Sequence, residues 1–75
     1  MKKIPIRTEY ITLGQFLKLA DIISTGGEAK FYLLNNVIYV DNIVDNRRGR
    51  KLYPGTILKC SNEEYEIVKD DNKES

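Results

Sequence analysis

With 75 residues and a net charge of +1, the chain has room for one small domain, near the lower size at which a core holds without metals or disulfides. A single cysteine, Cys60, and no histidine exclude an internal disulfide and a His/Cys zinc site, and fit a reducing, cytoplasmic setting. The small net charge hides a division: residues 1–59 carry ten Lys/Arg against five Asp/Glu, a balance of +5, and residues 60–75 carry two against six, a balance of −4. A basic body with an acidic tail points toward a polyanionic partner.

In chain order, Met1-Lys2-Lys3 mimics the start of a signal peptide, but Pro5, Arg7, Thr8 and Glu9 interrupt the apolar run that such a segment needs. Ile4 and Ile6 alternate with Pro5 and Arg7 as a short strand, which Pro5 confines to a sheet edge or a strand start. Thr12 followed by Gln15 is a capping box, with Ile11 and Phe16 as its hydrophobic staple, so a helix begins at Leu13. Leu13, Phe16, Leu17, Ala20 and Ile23 recur at helical spacing as a core stripe, and Gly26-Gly27 is expected to end this helix. A second helix is expected from about Glu28 to Leu34, with Ala29, Tyr32 and Leu33 inward and Lys30 outward. Phe31 is open between core and an exposed ring able to stack on a base.

Asn35-Asn36 breaks the second helix, Val37 to Val40 reads as a strand, and Asp41-Asn42 supplies the positive φ of a tight hairpin turn. The return strand at Ile43-Val44 runs into Asp45-Asn46-Arg47-Arg48-Gly49-Arg50-Lys51, which places four cations within five positions. Arginine's planar fork suits phosphate, so the run suggests a polyanion partner; a solvated hairpin loop is the alternative. Pro54-Gly55 is the central pair of a type II turn, and Thr56 to Lys59 and Tyr65 to Val68 are two further strands joined near Ser61-Asn62. Residues 1–68 are expected to form the domain and 69–75 a polar, disordered tail. No stretch is long and apolar enough to span a membrane.

This order of elements resembles the S4 RNA-binding domain. Leu13, Leu17, Thr25, Ala29, Lys30 and Leu33 are in register with its helix pair, Ile38, Val40, Asp41 and Asn42 with its hairpin, and Gly55 with its closing turn. Residues 11–21, with Gly26-Gly27, Ala29-Lys30 and 45–52, are more closely similar to the small stand-alone bacterial S4 proteins of the YaaA/YbcJ type, a likeness that runs over residues 11–58. The resemblance implies an α+β fold: two short packed helices against a small, mostly antiparallel sheet of four to five strands. It also implies binding of structured RNA, with ribosomal RNA favoured over transfer RNA, through Lys18, Lys30 and the Arg47, Arg48, Arg50 and Lys51 cluster. The chain departs from the family in carrying Gly26 where an arginine is common, and Asn36 and Asn42 where glycines are common. Gly26 and Gly27 are open between a plain turn and an anion site made of backbone N–H groups. Gln15, Asn46 and Tyr53 are polar candidates for RNA contact, with a helix cap, a turn residue and a core-edge tyrosine as their structural readings.

Enzyme chemistry is not expected. Without histidine, the Ser/His and Cys/His constellations cannot be assembled, and a chain this short has little volume for a small-molecule substrate pocket. Glu63, Glu64 and Glu66 are read as a solvated strand edge. No cofactor or membrane partner is implied, and a monomer is expected. The competing reading is a protein-interaction adaptor docking on a ribosome-assembly or replication and repair partner. DNA is a weaker fit, since neither helix carries a basic reading face for the major groove.

Overall fold

The computed structural model describes residues 1–70. It contains a strand β1 (Lys2–Ile6), a short strand β2 (Ile11–Thr12), helices α1 (Leu13–Leu19) and α2 (Glu28–Asn35), and strands β3 (Tyr39–Val40), β4 (Ile43–Val44), β5 (Lys51–Leu52), β6 (Ile57–Cys60) and β7 (Glu63–Lys69). Five strands form one mixed sheet in the order β1-β7-β6-β3-β4, and β2 and β5 pair as a separate two-stranded ribbon. This is the expected α+β arrangement. The β1–β7 pair is parallel, with Ile4 opposite Ile67, and the other pairs are antiparallel. Pro5 lies in β1, an edge strand, as its missing N–H requires. No helix among the described residues is long and apolar enough to cross a membrane.

Local chemistry explains most element boundaries. The Thr12 side-chain oxygen accepts from Gln15 N at 3.2 Å, and Gln15 Oε1 accepts from Thr12 N at 2.8 Å, which completes the capping box and starts α1. The end of α1 differs from expectation: the helix stops at Leu19, well before Gly26-Gly27. Asp21 adopts the left-handed conformation, φ 64°, while Asp21 N donates to Lys18 O at 3.0 Å and Ile22 N to Leu17 O at 2.9 Å. Those two bonds make a Schellman closure, a geometry that aspartate tolerates better than most side chains. Ile22 thereby packs against the core, and Ile23 is buried from the connecting segment and not from the helix. Gly27 is the N-cap of α2 at φ −68°, a conformation open to any residue. Asn35 and Asn36 end α2 by donating their side-chain amides to Phe31 O and Tyr32 O.

The turns follow their residues. Asp41 and Asn42 have φ of 52° and 70°, and Ser61 and Asn62 have 53° and 64°, at the β3–β4 and β6–β7 hairpins. Gly55 at φ 101° and Thr56 N bonded to Tyr53 O at 3.0 Å complete the type II turn. Leu13, Phe16, Leu17, Ile38, Val40, Leu52, Leu58 and Ile67 are fully buried between the helix pair and the sheet, and Phe16 meets the Tyr65 ring edge-on at 5.2 Å. Phe31 is not part of this core; it is 72 % exposed. At the C-terminal end β7 reaches Lys69, and Asp70 N donates to Ile6 O, so both extend the fold past residue 68. The rest of the expected tail, 71–75, lies outside the described residues.

Candidate nucleic-acid interface

The basic run is built around Asp45, which the sequence offers only as the residue before it. Asp45 is buried, and its backbone N–H is tied to Ile38 O. Its Oδ1 accepts from Arg47 N at 2.9 Å and Arg47 Nε at 3.1 Å, and its Oδ2 accepts from Arg47 Nη2 and Arg50 Nη1, each at 2.7 Å. These bonds, Arg47's first, hold the Asp45 carboxyl well below the usual carboxylate range against the opposing effect of burial. Asp45 in turn raises Arg47 through the same bond and its charge. The side chain of Arg47 stays 67 % exposed, whereas that of Arg50 is 32 % exposed. The two arginines therefore play different parts: Arg50 is braced inside the loop, and Arg47 is braced but presented.

The loop backbone is docked on the start of α1. Leu13 N donates to Arg50 O at 2.8 Å and Gly14 N to Arg48 O at 3.0 Å, satisfying two of the N–H groups that a helix leaves open at its first turn. Gly14 makes this approach feasible, because a Cβ there would lie 2.8 Å from Arg48 Cγ. Lys51 then pairs with Thr12 in the β2–β5 ribbon, which anchors the far end of the run. Its ammonium sits 5.0 Å from the Tyr10 ring centroid, and the Tyr10 and Tyr53 rings are 5.5 Å apart.

Three adjoining depressions surround this loop. Gln15, Lys18, Gly26 and Arg48 line the first, and Lys30, Leu34, Asn46 and Arg48 the second. The third takes Arg47, Arg50, Lys51 and Tyr53 and shares Gly49 with the first. The fold thus brings together every residue expected at the site except Gly27, which lines none of the three. Gln15 is partly committed, since its Oε1 is spent on the helix cap. At the entry to α2, Glu28 Oε1 already accepts from Ser24 N at 2.6 Å and Thr25 N at 3.3 Å, so a carboxylate of the chain itself occupies part of that N-terminus.

Most cations elsewhere are paired. Lys2, Lys3 and Lys59 pair with Glu63, Glu66 and Glu64 at 4.0, 3.1 and 3.6 Å, and Arg7 with Asp70 at 2.9 Å. The glutamates thus lie on β7, inside the sheet between β1 and β6, and not on an edge as the sequence suggested. Among the described residues, the side-chain cations in no ion pair are Lys18, Lys30, Arg48, Lys51 and Lys69. The first four are all at the loop and its flanking helices.

The S4 domain family model matches residues 4–68. The chain belongs to the S4 domain family. A relative of this S4 chain, "Probable ribosome maturation protein RlbA" of Bacillus subtilis (strain 168), is 57 % identical over 56 residues, which is 75 % of this chain and 79 % of that protein. No solved structure matches. Sequence reasoning named the cations that the fold groups around this loop but missed three residues beside them. These are Asp45, signalled only by an Asp-x-Arg spacing that suits an Asx turn; Gly14, an otherwise unfavourable residue in a helix; and Tyr10, opposite Tyr53 across the ribbon.

Proposed function

We propose that this chain is a non-catalytic RNA-binding module that recognises folded RNA, ribosomal RNA in preference to transfer RNA, and acts as a monomer in the cytoplasm during ribosome maturation. The observation that carries the reading is the sorting of charge: among the described residues, cations away from the loop other than Lys69 are matched with carboxylates, while Lys18, Lys30, Arg48 and Lys51 stand unmatched around one loop. Unpaired cations grouped on one side of a small domain form the footprint of a phosphate backbone. Arg48, shared by two depressions, is the central contact; Lys18 and Lys30 flank it from α1 and α2. Arg47 reaches phosphate through the part of its fork that Asp45 leaves open, and Asn46 lies beside Arg48. Gln15, through its amide nitrogen, and the N–H of Gly26 are the neutral contacts of the same face, and Gly27 lies outside it. The name of the Bacillus relative, a probable ribosome maturation protein, supports ribosomal RNA as the partner.

The test is RNA recovery from lysate with and without RNase, comparing the wild type with a variant in which Lys18, Lys30, Arg48 and Lys51 are all alanine. Arg47 and Arg50 are left in place, because their removal would strand the buried Asp45 carboxylate. RNA is expected with the wild type and not with the variant; equal recovery would sink the assignment of these residues. A second reading, a protein-docking adaptor, draws on Ile43 and Val44, both exposed on β4 at the free edge of the sheet. Lysate partners that survive RNase and high salt would favour it.

A further inference from the structure

The β2–β5 ribbon has an inner and an outer face, fixed by its register. Ile11 opposite Leu52 turns inward, and both are buried. Just beyond the paired positions, the ring of Tyr10, which precedes β2, meets the ring of Tyr53, which follows β5, and Lys51 reaches the Tyr10 ring from within the ribbon. The result is a pair of tilted rings, 5.5 Å apart with 48° between their planes, with the Lys51 ammonium 5.0 Å from the Tyr10 centroid. Tyr53 is 45 % exposed and forms a wall of the depression that also contains Arg47 and Lys51. Arg47 Nε and Nη2 are committed to Asp45, which leaves Nη1 without a protein acceptor among the described residues. A tyrosine serving only to close the ribbon has no need of this exposure or of cations on its open side.

We propose that this depression is a subsite for one unpaired nucleotide of the bound RNA, its base stacked on Tyr53 and its flanking phosphates held by Arg47 and Lys51. The ligand class follows from the geometry. A base within a duplex has its two faces covered by its neighbours, so only a bulged, looped or terminal nucleotide can offer a face to an aromatic ring. Tyr10 acts as a positioning residue: it backs Tyr53 and keeps Lys51 over its own ring, which fixes the ammonium beside the stacking surface. The inference rests on the RNA reading above and adds to it a requirement for an extruded base.

The test uses two RNA hairpins, identical except that one carries a single bulged 2-aminopurine, with affinity read by anisotropy and stacking by 2-aminopurine fluorescence. The full chain is expected to bind the bulged hairpin roughly tenfold more tightly, the scale of one base stacked on an aromatic side chain, and to quench its fluorescence. Tyr53→Phe keeps the preference and the quench. Tyr53→Leu loses both while still binding the uninterrupted hairpin, which shows in the same titration that the variant is folded. Equal affinity of the wild type for the two hairpins, or an equal loss on both with Tyr53→Leu, overturns the subsite and leaves the RNA reading standing. Failure of the wild type to bind either hairpin overturns both.

Discussion

Asp45 is the residue on which the presentation of the basic loop depends, because one buried carboxylate accepts four hydrogen bonds from Arg47 and Arg50. Hydrogen bonds to a charged group contribute about 1.5–3 kcal/mol each when a partner is removed. Asp45→Asn is therefore expected to lower stability by about that amount near neutral pH, measured by urea unfolding. It should also change the response to acid. The folded carboxyl is held below the ordinary carboxylate range by its bonds to Arg47 and Arg50, so its contribution is present above the unfolded value and disappears as pH falls toward the folded pKa. Wild-type stability should thus decline below about pH 4 with a component that the Asn variant lacks; parallel curves for the two proteins would contradict this. Gly14 gives a complementary case. Gly14→Ala gains up to about 1 kcal/mol of helix propensity but drives a Cβ to 2.8 Å from Arg48 Cγ. The expected outcome is a melting temperature within a few degrees of wild type and a several-fold loss of RNA affinity, read by calorimetry and anisotropy.

At the scale of elements, what was legible in the sequence is what nearby residues decide. The Thr12–Gln15 box, the Asp41-Asn42 and Ser61-Asn62 turns and the Pro54-Gly55 turn each depend on chemistry within four positions, and each forms as expected. The end of α1 was misread because Gly26-Gly27 is a familiar stop signal, while Asp21 is an unremarkable residue until Ile22 is seen folded back on the core. A test follows from its φ of 64°. Asp21→Gly should leave stability unchanged or raise it, whereas the β-branched Asp21→Val should cost about 1–2 kcal/mol in urea unfolding. Pairings that span the chain left no comparable trace. The parallel β1–β7 ladder joins residues 2–6 to 65–69, and the β2–β5 ribbon joins 11–12 to 51–52. No local pattern encodes either partner choice.

The whole molecule shows why the candidate site was only half visible. Composition revealed a basic body and an acidic C-terminal part, but the division that matters is in space. Folding lays Lys2 and Lys3 beside Glu63 and Glu66, and Lys59 beside Glu64, so the acidic stretch masks these three cations of the sheet and leaves Lys18, Lys30, Arg48 and Lys51 unmatched at the loop and helices. Exposed pairs of this kind contribute about 0–1 kcal/mol each to stability. Their larger consequence is to offset three cations that lie away from the loop. The decisive measurement is the salt dependence of binding to a structured RNA hairpin, compared among single variants. Lys18→Ala, Lys30→Ala, Arg48→Ala and Lys51→Ala should each weaken binding and reduce the log–log salt slope by about 0.7–0.9, the value of one phosphate contact, while Lys59→Ala leaves the slope unchanged. A slope that falls as much for Lys59→Ala as for Arg48→Ala would contradict a cationic face centred on the loop.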